Sequence, residues 1–383
     1  MNFGLARRGV RALFILLTMF AWCAADAANF SAGNITFQIE RDAVTNRIEK
    51  QPEHSPQNQT SNFQNLPTLA RICTPENKRA WVSVSGFCHV LDFYGLGPTD
   101  LPDFPSGELV LKALTDEPVA IQTFGKSPFV KTENGLRYSL FDDSSLDTDI
   151  GEAHRDQCLA MFAALDLPLS TPVHLKSGAY SLADLLSESL GGFSFDQREL
   201  AWSAMAFARY VPPQKEWTNR AGARMNFSEL VRKLLRADLN AQKCAGIHVF
   251  EALILIGEAD RKNSLLDGGT RAQLNSHLQT AVEEIIRRQH AGGSWSRSWC
   301  AAVNDDSEPM TPFQMSFLVT GHLAEVLEKL EPSLRPPKNV LRNAAHWITN
   351  SMTSTEIRPN GFWVCPFTHA AHGARDISVE TNR

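Results

Sequence analysis

Two residue pairs in this 383-residue chain share one spacing: His154 with Cys158, and Cys244 with His248. On a helix, side chains four apart lie on one face. Glu251 follows His248 by one further turn, and Glu152 precedes His154 by two residues. If the two helices run parallel in one layer, their N-terminal halves meet. His154 and His248 then face each other within acid–base reach, with Glu152 and Glu251 as neighbouring carboxylates. Zinc accepts cysteine sulfur, histidine nitrogen and carboxylate oxygen, and catalytic zinc keeps one position open. Cys244 and His248 are therefore the metal candidates, with zinc as the cofactor. Two plainer readings stand beside this one. Cys158 and Cys244 form a disulfide or are small buried hydrophobes, and the histidines are hydrogen-bonded core residues. Cys365 and His369 repeat the spacing in a segment read as a loop, and Cys300 follows Trp299 near Asp305 and Asp306.

These residues need elements to hold them. Leu182, Leu185, Leu186 and Leu190 recur at helical spacing behind Ser181, a candidate N-cap. Phe227, Leu230, Val231, Leu234 and Leu235 form a second apolar stripe. Leu278, Ala281, Val282, Ile285 and Ile286 form a third, and Leu341, Ala344, Ala345 and Ile348 a fourth. Each stripe marks a helix apolar on one side. Between them, Asp156–Leu165, Glu199–Val211, Cys244–Ile256 and Phe313–Leu330 are apolar or small around most of their circumference. Such helices must be covered on both sides. One-sided helices alternating with all-round ones predict two concentric layers, an all-α body built as an α/α toroid over residues 151–383, as a complete or incomplete ring of helical hairpins. Ahead of it, residues 71–150 read as a short mixed loop/strand region. There Trp81-Val-Ser-Val-Ser and Val119-Ala-Ile-Gln-Thr-Phe alternate with a strand's period.

Gln289-His-Ala-Gly-Gly-Ser-Trp295 ends one one-sided helix, and Pro359-Asn-Gly-Phe-Trp363 follows the next. The first segment resembles the repeat of squalene cyclases and protein prenyltransferase β-subunits, whose chains fold as α/α toroids. The resemblance covers residues of about 150–370 and implies a terpenoid cyclase-like or prenyltransferase-like fold around a central cavity. Asp147-Thr-Asp149-Ile150 is similar to the Asp-x-Asp-Asp motif of protonating terpene cyclases, which would make Asp149 the proton donor. Ile150 stands where that motif has its last Asp, and the plain reading is a helix cap. Prenyltransferases hold zinc through an Asp-x-Cys pair, but here Ser298 occupies the Asp position before Cys300. The ligand this fold implies is a small molecule, an isoprenoid or a glycan. An alternative enzyme, a polysaccharide lyase-like one, would use His154 and His248 with Tyr210, Asn219 and Arg220. A non-catalytic binding or scaffold protein is the reading if His154 and His248 point into inter-helix packing.

Arg7, Arg8 and Arg11 precede an apolar run from Ala12 to Ala25, which ends in Ala25-Asp26-Ala27. Charged start, short apolar stretch and small-residue exit predict a signal peptide over residues 1–27. The protein is then secreted or periplasmic, with no stable transmembrane segment after cleavage; an uncleaved segment would tether it to the membrane. Residues 28–70, rich in Asn, Gln, Ser and Thr, read as a flexible lead-in. The cysteines beyond this segment permit three disulfides in an oxidising compartment, Cys73–Cys88 foremost. A net charge of −5 excludes the basic footprint of a nucleic-acid binder.

Overall fold

The first of the two expected strands is the entry to a helix. In a computed structural model, which describes residues 82–99, 105–141, 150–301, 310–352 and 364–381, α1 spans Val84–Tyr94. Ser83 caps it by accepting the Gly86 N–H at 3.0 Å. Val84, Phe87, Cys88, Val90, Leu91 and Phe93 are all buried, so α1 is apolar nearly all round. After α2 (Gly107–Thr115), the second expected strand is α3 (Glu117–Phe124). Asp116 accepts the Val119 N–H at 3.1 Å, Pro118 sits in the first turn, and Gly125 ends the helix at φ +82°. In both places a capping side chain supplies what a strand's alternation does not: a partner for orphan helix N–H groups. Region 71–150 is thus helical where described, apart from a hairpin of β1 (Phe129–Lys131) and β2 (Leu136–Tyr138).

Beyond it the chain is mainly helical. α4 (Gln157–Ala164), α6 (Ala201–Tyr210), α8 (Ile247–Asn263) and α10 (Pro312–Glu328) coincide with the segments predicted to be apolar all round. α5 (Leu182–Gly192), α7 (Phe227–Leu234), α9 (Gly268–Arg288) and α11 (Lys338–Met352) carry the one-sided stripes. Ser181 does begin α5, with the Asp184 carboxylate accepting its backbone N–H at 2.8 Å. Two short antiparallel hairpins interrupt the body: β3 (Pro172–Leu175) with β4 (Gly178–Ser181), and β5 (Glu216–Thr218) with β6 (Arg224–Asn226). A final helix, α12 (Val364–Thr381), replaces the expected loop around Cys365 and His369.

The all-round helices pack in succession: α1 on α4, α4 on α6, α6 on α8, α8 on α10, α10 on α12, and α12 back on α1. The one-sided helices lie against them, α5 on α4, α7 and α9 on α8, and α11 on α10 and α12. The closest pair is α10 with α12. A Cβ on Gly321 would lie 2.8 Å from the Ala370 backbone, and one on Gly373 would lie 2.6 Å from the Ala324 side chain. Only hydrogen at these two positions lets the backbones come so near.

The Gln289–Trp295 turn pins α9 to its neighbours. Gln289 donates to the Gly293 and Val340 carbonyls, both at 2.9 Å. The fully buried Trp295 donates its indole N–H to the Ile285 carbonyl at 2.7 Å and its backbone N–H to Thr320 on α10. The motif is therefore a structural clamp between layers. Its predicted echo at 359–363 lies outside the described residues, as do Asp147, Asp149, the 1–27 segment and the 28–70 lead-in.

Candidate metal centre

Five of the six successively packed helices, with the turns ahead of α4 and α8, deliver side chains to one place. His89 comes from α1, His154 from the turn ahead of α4, Trp202 from α6, and His248 from α8, with Cys244 just before it. His322 comes from α10, and Cys365 and His369 from α12. None of the five imidazoles is more than 5% exposed. His322 and His369 have ring centroids 3.9 Å apart, His248 and His322 5.2 Å, His154 and His248 5.4 Å, and His89 and His369 5.1 Å. Trp202 stacks on His154 and lies 4.7 Å from His248, closing one side. Cys365 Sγ is 4.0 Å from Cys244 Sγ and 3.6 Å from His322 Nε2.

Four of the rings are anchored by the same atom. His154 Nδ1 donates to Glu199 at 2.9 Å, and His369 Nδ1 to Glu325 at 2.5 Å. His248 Nδ1 approaches Glu251 at 3.5 Å, and His322 Nδ1 donates to the Leu318 carbonyl of its own helix at 2.8 Å. With Nδ1 engaged, each ring has Nε2 left to offer. In His248 and His369 that atom is buried without any hydrogen-bond partner, and so is Nδ1 of His89. A buried polar atom without a partner costs about 1–3 kcal/mol. Three of them around two thiols need an explanation, and an ion-binding centre supplies one. Carboxylates and carbonyls behind imidazoles are how metal ligands are oriented.

The backbone around Cys244 is strained. Cys244, Ala245 and Gly246 all have positive φ, at 52°, 53° and 75°. Two consecutive non-glycine residues in this region are costly, and such strain collects where a side chain must be aimed. Trp299 holds the turn by donating its indole N–H to the Ala245 carbonyl at 2.9 Å.

Charge is organised around the same atoms. Hydrogen bonding to Cys365 and the positive field of His248 hold the Cys244 thiol well below the usual thiol range. Burial alone would lower His248, but the Cys244 thiolate and Glu251 raise it to about 10. Burial and the neighbouring His369 keep His322 and His89 low, so both stay neutral. Glu251 and Glu325 oppose their own burial through Lys329, whose ammonium donates to them at 2.6 and 2.7 Å.

The structure thus brings His154, Cys244 and His248 together, with Glu251 directly behind. Glu152 lies elsewhere. It accepts the Cys158 N–H at 2.7 Å and lines a separate cavity of about 270 Å³ with Arg155, Asp156 and Glu188. Burial pushes its carboxyl up to about 8. Cys158 turns toward Cys88, with sulfurs 2.6 Å apart, and is not paired with Cys244; Cys73, the expected partner of Cys88, lies outside the described residues. Tyr210 donates to the Leu167 carbonyl, Asn219 closes its own turn, and Arg220 pairs with Glu188. All three are engaged outside the histidine cluster. Sequence reasoning did not select His89, His322, Cys365 and His369 as site residues. Their one available signal was the repeated Cys-x3-His spacing at Cys365 and His369. No protein-family model, no curated protein and no solved structure matches this chain.

Proposed function

We propose that this chain is a metal-dependent enzyme on an α/α toroid, with zinc held by Cys244, His248 and their neighbours at the centre of the inner helices. The observation that carries this reading is the convergence of two thiols with imidazoles whose Nδ1 atoms are anchored and whose remaining nitrogens are buried and unpaired. The closed succession of all-round helices supports the toroid. So does a cavity of about 270 Å³, lined by residues of α1, α4, α6, α8, α10 and α12, which reaches the cluster at His369.

Zinc bound here supplies a Lewis acid that polarises an oxygen or sulfur ligand. The chain's own residues do the rest. His154, Cys244 and His248, whose ligand atoms lie within 4.8 Å of one another, would hold the ion. Glu199 and Glu251 stand behind His154 and His248, whose ring centroids are 5.4 Å apart, and would orient both imidazoles. The cavity is apolar along Ala160, Met161, Met205 and Leu255 and charged along Asp92, Glu325 and Lys329. It suits a compact amphipathic small molecule. The proposal includes export, on the charged, apolar and small-residue succession of residues 7–27.

Elemental analysis of the purified full-length chain after exposure to zinc tests this. At least one zinc per chain is expected, with loss on His248→Ala or Cys244→Ser. Wild-type protein that retains no metal overturns the reading.

A further inference from the structure

The donors are too many for one ion, and they fall into two matching halves. Cys244 and His248 open α8 with the spacing that Cys365 and His369 repeat at the start of α12. Each pair is completed by a histidine from another inner element: His154 for the first, His89 for the second. Within each triad, His154–Cys244–His248 and His89–Cys365–His369, the donor atoms lie within 4.8 Å of one another. His322 belongs to both halves, grouping with the two thiols and also with His248 and His369. A tetrahedral ion takes four ligands. Seven donors around one ion would leave three buried and idle, yet the unpaired nitrogens are spread over both halves, on His248 in one and on His89 and His369 in the other.

Resting on the zinc-centre reading above, we infer that the cluster binds two metal ions side by side, one in each Cys-His-His triad, with His322 and the facing thiols between them. Thiolate with imidazole selects soft or borderline cations, zinc or copper(I), over magnesium or calcium. The surroundings suit more positive charge than one divalent ion supplies. Glu199, Glu251 and Glu325 back three of the ligands and two thiols face each other, whereas Lys329 is the ammonium that contacts this carboxylate shell, reaching Glu251 and Glu325.

The test is stoichiometry on the full chain. Metal-free protein is titrated with zinc, and in parallel with copper(I) under reducing conditions, then freed of excess and weighed by native mass spectrometry. Two ions per wild-type chain are expected. The double variants H89Q/H369Q and H154Q/H248Q should each hold one, with far-ultraviolet circular dichroism showing that the fold is kept. Cobalt(II) titration of the wild type, followed by its thiolate charge-transfer band, should saturate at two equivalents and needs no variant. Saturation at one equivalent overturns the second ion and leaves the single-zinc centre standing. No binding of any of the three metals overturns both.

Discussion

Glu152 and His154 are two residues apart yet serve different surroundings, because the peptide between them turns one inward and the other toward Cys158. Glu152 is buried with a carboxyl that titrates near 8, whereas an ordinary glutamate titrates near 4.5. Burial is the main cause. The linkage has a definite sign. Between about 4.5 and 8 the unfolded chain releases this proton while the folded chain keeps it, so stability falls as pH rises through that window and levels off above it. Glu152→Gln keeps an acceptor for the Cys158 N–H and removes the titration. Thermal melts of wild type and variant from pH 4 to 9 should converge at the acid end and separate in favour of the variant above pH 8. Parallel curves across the range would contradict this assignment. His322 and His89 carry the opposite lesson. A lone histidine in an apolar helix has no local signature, so nothing near His322 in the sequence announces a ligand.

At the scale of elements, helix placement followed from side-chain periodicity. The one-sided stripes of α5, α7, α9 and α11 and the all-round composition of α4, α6, α8 and α10 both translate directly into burial. Two apparent strands failed because alternation over five or six residues is weaker than a cap. Ser83 starts a helix that is buried nearly all round, and Asp116 starts one that buries Ala120 and Phe124 on one face. The clamp after α9 makes a direct prediction. Gly293 has φ +97°, and a Cβ there would meet the Asn343 carbonyl oxygen at 2.2 Å. Gly293→Ala should lower unfolding free energy by more than about 1 kcal/mol in a urea melt, loosening α9 from α11. At the other end of α9, Asp260 accepts two charge-assisted bonds from Arg271, at 2.5 and 2.9 Å, and the Leu266 N–H. Burial works against its charge, but these bonds hold Asp260 below the usual aspartate range. That stability is present above pH of about 4 and lost as pH falls through the depressed value. Asp260→Asn should cost about 1–3 kcal/mol at pH 7, with a smaller gap from wild type at pH 3. An unchanged gap would sink the assignment.

For the molecule as a whole, the proposed centre would be a cross-link as well as a site. Its donors come from α1, the turn before α4, the turn and start of α8, α10 and α12, so a bound ion ties together segments from both ends of the described chain. A ligand that binds only the folded form stabilises it by about 2.7 kcal/mol at a hundred times its Kd. Melting temperature should therefore rise with added zinc and fall after chelation. Identical melts in excess zinc and excess chelator would remove the cross-link. No helix among the described residues is long and apolar enough to cross a membrane.

Amino-acid order alone determined most of the helical segments of the body, which of their faces are buried, and that His248 and Glu251 share a helical face. These are properties of i to i+4 neighbours, and local spacing is sufficient to state them. Tertiary structure alone decided that His89 and Cys365 meet, that His322 sits between two triads, and that Glu152 turns away to Cys158. Those outcomes depend on how close α10 comes to α12 and on α12 returning to α1, contacts between residues far apart in the chain that no short window of sequence contains.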